Sequence, residues 1–318
     1  MGVTDVHVHL AALPDGRNGC YISPKMLGGV LFRMLLRQLE LPANDPARAN
    51  ELYIQKLVRL LGESQYVKRA VLLAMDGVYR SDGSFDAEKT HFIVANDYVL
   101  SIAKRFPGQF LAGVSINPMR RGAVDELHRT AGAGAALVKV LPNSQQFDPA
   151  DSSFRPFWKA MAERKIPLLS HVGYEFSLWG KDQSVGDPSR LRPALEEGVT
   201  VIGAHGASFG LFFYEKYCDT LQDLVRTYPN FYWDASALSL PNRVGMLLRL
   251  RRHPELVSRM VFGTDYPLSV FAYPALLAGH WHDYWEIRQI KNPFDRHYRL
   301  LDTLGLAPAN DKGVFLGK

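Results

Sequence analysis

The sequence predicts an α/β chain folded as a (β/α)8 TIM barrel with a helical insertion between its first two strands. Three observations carry this expectation. Eight short apolar runs rich in β-branched residues recur along the chain, helical stretches alternate with them, and few polar residues interrupt the runs, as suits parallel strands covered on both faces. The 318 residues are 47% hydrophobic and 22% charged, a composition that supports one large core. No Ser/Gly-rich linker, low-complexity tract or charge block divides residues 1–318, so a single domain is expected.

The first strand covers the opening ten residues, where Val3, Val6, Val8 and Leu10 alternate with Asp5, His7 and His9. On a strand that alternation places both imidazoles on one face and Val6, Val8 and Leu10 on the other. Residues 11–65 then hold far more than one helix. Lys25–Glu40 and Asp45–Leu61 read as two helices separated by Leu41-Pro42, an insertion placed to cap the barrel mouth. The remaining strands are read at Arg69–Met75, Phe110–Ile116, Ala136–Leu141, Ile166–His171, Val199–His205, Phe231–Ala235 and Arg259–Asp265. Helices fall between them at Ala87–Phe106, Val124–Ala131, Phe154–Arg164, Leu191–Glu197, Leu221–Tyr228 and Val244–Arg252, with stop signals such as Pro107-Gly108 and Gly198. The aromatic-rich tail from Pro274 onward supplies the last helix.

Several classes are excluded or disfavoured. Lys+Arg (37) exceed Asp+Glu (32) for a net charge of +5, but the basic residues are dispersed and form no nucleic-acid stripe. No stretch approaches the ~20 apolar residues of a membrane helix, and the N-terminus enters a strand without a basic and apolar leader, so a cytoplasmic location is expected. Cys20 and Cys218 share no metal or disulfide spacing. The expected partner is a small molecule, with no nucleic acid and no membrane, and a homo-oligomer is compatible with the sequence.

Chemistry concentrates at strand ends, where barrels of this kind build their active sites. His7 and His9 end strand one, Lys139 is late in strand four, and His171, His205 and Asp265 end strands five, six and eight. Singly, each has a structural explanation. Together, four of the ten histidines and a carboxylate converge as an N/O ligand set suited to zinc, manganese or iron. His280-Trp281-His282 repeats the His-x-His spacing but lies beyond strand eight in an aromatic helical region. His91, His128, His253 and His297 sit in or beside helices as surface or packing residues. Arg80, Arg120-Arg121 and Tyr174-Glu175 follow strands two, three and five in mouth loops, where they are candidates to hold a polar group of the substrate.

The order His-x-His, Lys, His, His, Asp resembles the amidohydrolase superfamily of metal-dependent hydrolases over nearly the whole chain. Phe157-Trp158 before Ile166–His171, and Phe262-Gly263-Thr264-Asp265-Tyr266-Pro267, are similar to its amidohydrolase-related branch, which holds hydrolases and non-oxidative decarboxylases of aromatic or unsaturated acids. Val138–Asn143 resembles the strand-four stretch of dihydroorotase-like members, in which the lysine is carbamylated and bridges two metals. The resemblance implies one or two divalent ions on His7, His9, Lys139, His171, His205 and Asp265, with zinc the first expectation. It also implies hydrolysis of an ester, lactone or amide, with Asp265 taking the proton of the attacking water and His205 or metal polarising the carbonyl. The alternatives are decarboxylation on the same cation, or a barrel that binds metal without catalysis.

Overall fold

In the computed structural model, residues 2–176, 178, 180 and 182–307 are described, with the backbone alone for Leu31. Eight parallel strands follow one another around a barrel: β1 Val3–His9, β2 Val67–Leu73, β3 Phe110–Ser115, β4 Ala135–Val140, β5 Leu168–Ser170, β6 Val201–Gly203, β7 Phe231–Asp234 and β8 Met260–Val261. All eight lie within or overlap the runs read from the sequence. The seam between β8 and β1 is closed by hydrogen bonds from Val6 N to Phe262 O (2.9 Å), Asp265 N to His7 O (2.9 Å) and His9 N to Tyr266 O (2.8 Å).

The interior of the barrel is a small apolar plug. Val6, Val71, Leu73, Leu137, Leu169, Ile202, Ala204 and Val261 pack together there, and the larger core lies between the strands and the surrounding helices. The plug leaves no room at Gly113, where a Cβ would stand 2.6 Å from a Leu73 methyl carbon. Strict alternation fails in β1. Val6 joins the inner plug while Val3, Val8 and Leu10 join the outer core, because the pairing with β2 shifts register between Asp5 and Val8. That irregularity is what allows Val6 and His7 both to serve the barrel interior.

The insertion divides into two parts with different roles. The helix Pro46–Glu63, capped by Asp45 accepting from Arg48 N, buries Tyr53, Ile54, Leu57 and Leu61 in the outer core and serves as the first helix of the ring. The part before it supplies most of the insertion's lining of the mouth. There the predicted helix at 25–40 is broken at Gly28-Gly29 into Pro24–Leu27 and Val30–Gln38, each glycine favouring chain freedom over helix. The helix expected over 87–106 begins only at Asn96. Ahead of it Phe92–Ile93 pairs antiparallel with Tyr21–Ile22, a use of β-favouring residues that ties the insertion to the loop after β2.

The tail forms three helices, Tyr273–Leu277, Trp281–Gln289 and Pro293–Thr303. The last buries Phe294, Leu300 and Leu301 and sends His297 Nε2 to the Ala235 carbonyl (2.9 Å) at the end of β7. Among the described residues no helix is long and apolar enough to cross a membrane.

Candidate metal centre

The strand ends deliver one contiguous cluster of nitrogen and oxygen atoms. His7 and His9 rise from β1, and their Nε2 atoms lie 3.4 and 3.0 Å from Asp265 Oδ1, which reaches them from the loop after β8. Lys139, from the inward face of β4, places Nζ 3.1 Å from His7 Nε2. His205 Nε2 lies 3.2 Å from His171 Nδ1, and the His205 ring stands 5.2 Å from that of His7. Thus the six residues predicted as ligands meet at the mouth end of the barrel.

Two of them depend on an unusual backbone. His205 (φ 59°) lies in a tight turn directly after β6, and Asp265 (φ 64°) in the loop after the two-residue β8. Left-handed backbone at non-glycine residues is costly and is found where surrounding structure enforces it, commonly at functional sites. Here the enforcing bonds are the His205 N donation to Asp234 Oδ1 (2.8 Å) and the Asp265 N donation to His7 O.

Asp234 at the end of β7 orients the set. Its Oδ2 accepts from His7 Nδ1 (2.8 Å), and its Oδ1 accepts from His205 N, Ser236 N and the Ser236 hydroxyl. His7 therefore carries its proton on Nδ1 and presents Nε2 as a lone pair. Ser236 Oγ, whose own proton goes to Asp234, lies 2.8 Å from His205 Nδ1, which fixes His205 the same way with Nε2 as the free donor atom. Three-residue groupings with metal-ligand spacing exist at His7, His9, Asp265 and at His7, His205, Asp234. The first is the better cation site, because the hydrogen bonds to His7, His205 and Ser236 already saturate Asp234.

Electrostatics agree with this division. Burial, with Lys139 nearby, pushes His7 below its ordinary value, and burial together with Arg243 pushes His171 and His205 well below theirs. Neutral imidazoles are the ligating form. Burial pushes Asp265 up, but His7, His9 and His205 outweigh it and hold the carboxyl well below the usual range. Burial lowers Lys139 to about 8 in spite of Asp234, Asp265 and Glu175. A divalent cation fits these residues: three oriented or neutral imidazoles and an ionised carboxylate converge, and His171 Nε2 is fully buried with no hydrogen-bond partner.

The remaining candidates separate. Tyr174 and Glu175 line the cavity above the cluster, and Glu175 Oε2 stands 3.6 Å from His171 Nε2. Arg80 and Arg120 do not reach it. Arg120 lines a separate cleft of about 630 Å³ beside Asp76 and Tyr79, and Arg80 pairs with Asp86 at 3.6 Å. Buried acids draw both guanidiniums away from the mouth, a pull invisible in loop position alone. His280 and His282 sit beside Asp283 and Glu286 on the tail helix, away from the cluster. Sequence reasoning missed Asp234, Ser236 and Arg243. The strand-end signal was present for Asp234 in Phe231-Tyr-Trp-Asp234, whereas Arg243, buried between the carbonyls of Val172, Ser208 and Tyr174, carries no local signature.

A sequence model of the amidohydrolase family matches residues 4–288. No curated protein matches the sequence. Among solved structures, the chain is similar to an uncharacterized TIM-barrel protein from Bordetella bronchiseptica at 17% identity and TM-score 0.58, covering 96% of this chain and 100% of that one. It is also similar to a 5-carboxyvanillate decarboxylase from Sphingomonas paucimobilis at 13% identity and TM-score 0.54, covering 99% and 98%. A third similarity is to a putative 2-pyrone-4,6-dicarboxylic acid hydrolase from Pseudomonas putida at 15% identity and TM-score 0.52, covering 96% and 98%. At these identities the three share the fold.

Proposed function

The chain belongs to the amidohydrolase family, whose members are metal-dependent enzymes, and from that premise we propose that it hydrolyses a neutral ester, lactone or amide. One observation carries this choice over decarboxylation. The cavity above the cluster, about 500 Å³, is walled mainly by aliphatic and aromatic side chains, and its wall cation Arg243 already donates to three backbone carbonyls. A carboxylate substrate would stand against ionised Asp265 with the bound cation alone to offset it, since Arg243 is already engaged. A neutral carbonyl would not.

His7, His9, His171, His205 and Asp265 would hold the ion, with zinc the first choice for this donor set and manganese or iron next. When bound, such a cation supplies Lewis acidity, which acidifies water toward neutral pH and polarises a carbonyl. Asp265, ionised and in contact with His9, accepts the proton of the attacking water and passes it to the leaving group. With its Nδ1 proton on Ser236, His205 offers a lone pair and serves as a ligand rather than as a hydrogen-bond donor to the carbonyl. Lys139, buried and lowered to about 8, has a substantial neutral fraction near that pH. In that form it would take up CO2 with loss of one proton, and the carbamate would add an anionic oxygen ligand beside His7 for a second ion.

Arg243 favours the second reading, decarboxylation, because a buried guanidinium lines the same cavity. A panel of esters, lactones, amides and aryl carboxylates, assayed on protein of measured metal content, separates the two. Hydrolysis that falls on the order of 10²–10⁴-fold in Asp265→Asn supports the proposal. Release of CO2 from an aryl acid with no ester, lactone or amide turned over would replace it.

A further inference from the structure

The walls of this cavity are unlike its floor. Below stand the histidines, Lys139 and Asp265. The helix Val30–Gln38 contributes Leu35, Leu36 and the adjoining Leu39 to the walls, and Leu211, Phe212 and Leu240 line them as well. Three polar side chains in the walls, besides Tyr174 and Glu175, are engaged within the protein. Asn50 accepts from Leu13 N and donates to Leu13 O, Asn242 donates to Gly210 O, and Arg243 is held by three carbonyls. The apolar lining also continues outward. Phe176, Leu211 and Phe212 line the cavity while remaining 59%, 40% and 57% exposed, so the entrance is greasy as well as the chamber. Exposed apolar surface joined to a concave apolar pocket marks a site for a ligand of the same character.

We propose that the substrate carries an extended aliphatic body attached to its reacting carbonyl, with the carbonyl at the histidine floor and the body against Leu35, Leu36 and Leu39. This rests on the hydrolytic reading for the carbonyl end alone. The apolar body is required by the walls whatever the reaction. The roof that supplies those leucines is the part of the insertion left over after Pro46–Glu63 has joined the helix ring, so selectivity resides in an added segment and chemistry in the barrel.

Two measurements on the metal-loaded enzyme separate the claims. Calorimetric titration with unbranched methyl ketones from 2-pentanone to 2-undecanone reads the apolar wall without any bond being broken. Affinity should rise about fourfold per methylene until the chamber is filled, and the slope should flatten in both Leu35→Asn and Phe212→Asn. In parallel, kcat/KM for p-nitrophenyl esters from acetate to decanoate should climb with the same slope. Ketone affinity that is flat with chain length, or a slope untouched by either substitution, overturns the inference even if short esters are hydrolysed. A ketone slope that disappears in the variants, with no ester hydrolysed, upholds the apolar site and removes the hydrolase reading instead.

Discussion

Asp234 touches no substrate, yet three functional groups depend on it. It fixes the His7 tautomer, holds the His205 backbone in its left-handed turn and accepts the Ser236 proton. Asp234→Asn would turn an amide N–H toward His7 Nδ1–H, and metal affinity should fall 10- to 100-fold in chelator competition, as for other carboxylates behind ligating histidines. Unchanged affinity would mean that His7 is oriented by its strand alone. Lys139 gives the complementary test. Removed as Lys139→Ala, the protein should lose one equivalent of metal and its dependence on bicarbonate during reconstitution, and short carboxylic acids should partly restore both metal and activity. Full metal content with indifference to bicarbonate would leave a single ion held by the histidines and Asp265. At this scale the sequence was legible for side chains whose position on a strand decides their direction. Leu137 and Lys139 share a face as alternation requires, but the φ of His205 and Asp265 depends on distant hydrogen-bond partners and has no local code.

The elements were legible wherever a continuous apolar run needed cover from both sides, which is why all eight strands were found. They were less so where a choice depended on tertiary partners. Nothing in Asp45–Leu61 distinguishes a roof from a ring helix; its burial against β2 does. Phe92–Ile93 leaves the helical pattern because Tyr21–Ile22 is available to pair. The last helix, Pro293–Thr303, brings a prediction of its own. His297 is fully buried on β7, and burial lowers it to about 4, below the 6.5 of an unfolded histidine. As pH falls the unfolded chain binds the proton first, so this contribution is complete above pH 6.5, shrinks between 6.5 and about 4, and changes no further below. Its full size is on the order of 3 kcal/mol. Denaturant titrations across this window should show wild type losing that much more stability than His297→Asn, the comparison cancelling the other buried histidines. Parallel pH curves for the two proteins would show that His297 binds its proton in the fold as readily as in the unfolded chain.

Taken as a whole, the barrel is closed at the place where the ligands meet. Strand β8 has only two residues, and its junction with β1 relies on three backbone hydrogen bonds together with Asp5, which accepts from Thr264 Oγ1 (2.6 Å) and Thr264 N (3.2 Å). His7 and His9 stand on one side of that seam and Asp265 on the other, their ligand atoms within 4.8 Å of one another. An ion held by all three would staple the first strand to the last, so loading should stabilise the molecule unevenly. A free metal concentration 100-fold above Kd adds about 2.7 kcal/mol to global stability. The amides of Val6, His9 and Asp265 should gain protection beyond that of the β2–β3 pair, neither strand of which supplies a ligand. Hydrogen exchange measured on metal-loaded and chelator-treated protein reads the difference strand by strand. Protection that rises uniformly around the barrel, or not at all at the seam, would show that the ion is held from one side only and that β1 and β8 close without it.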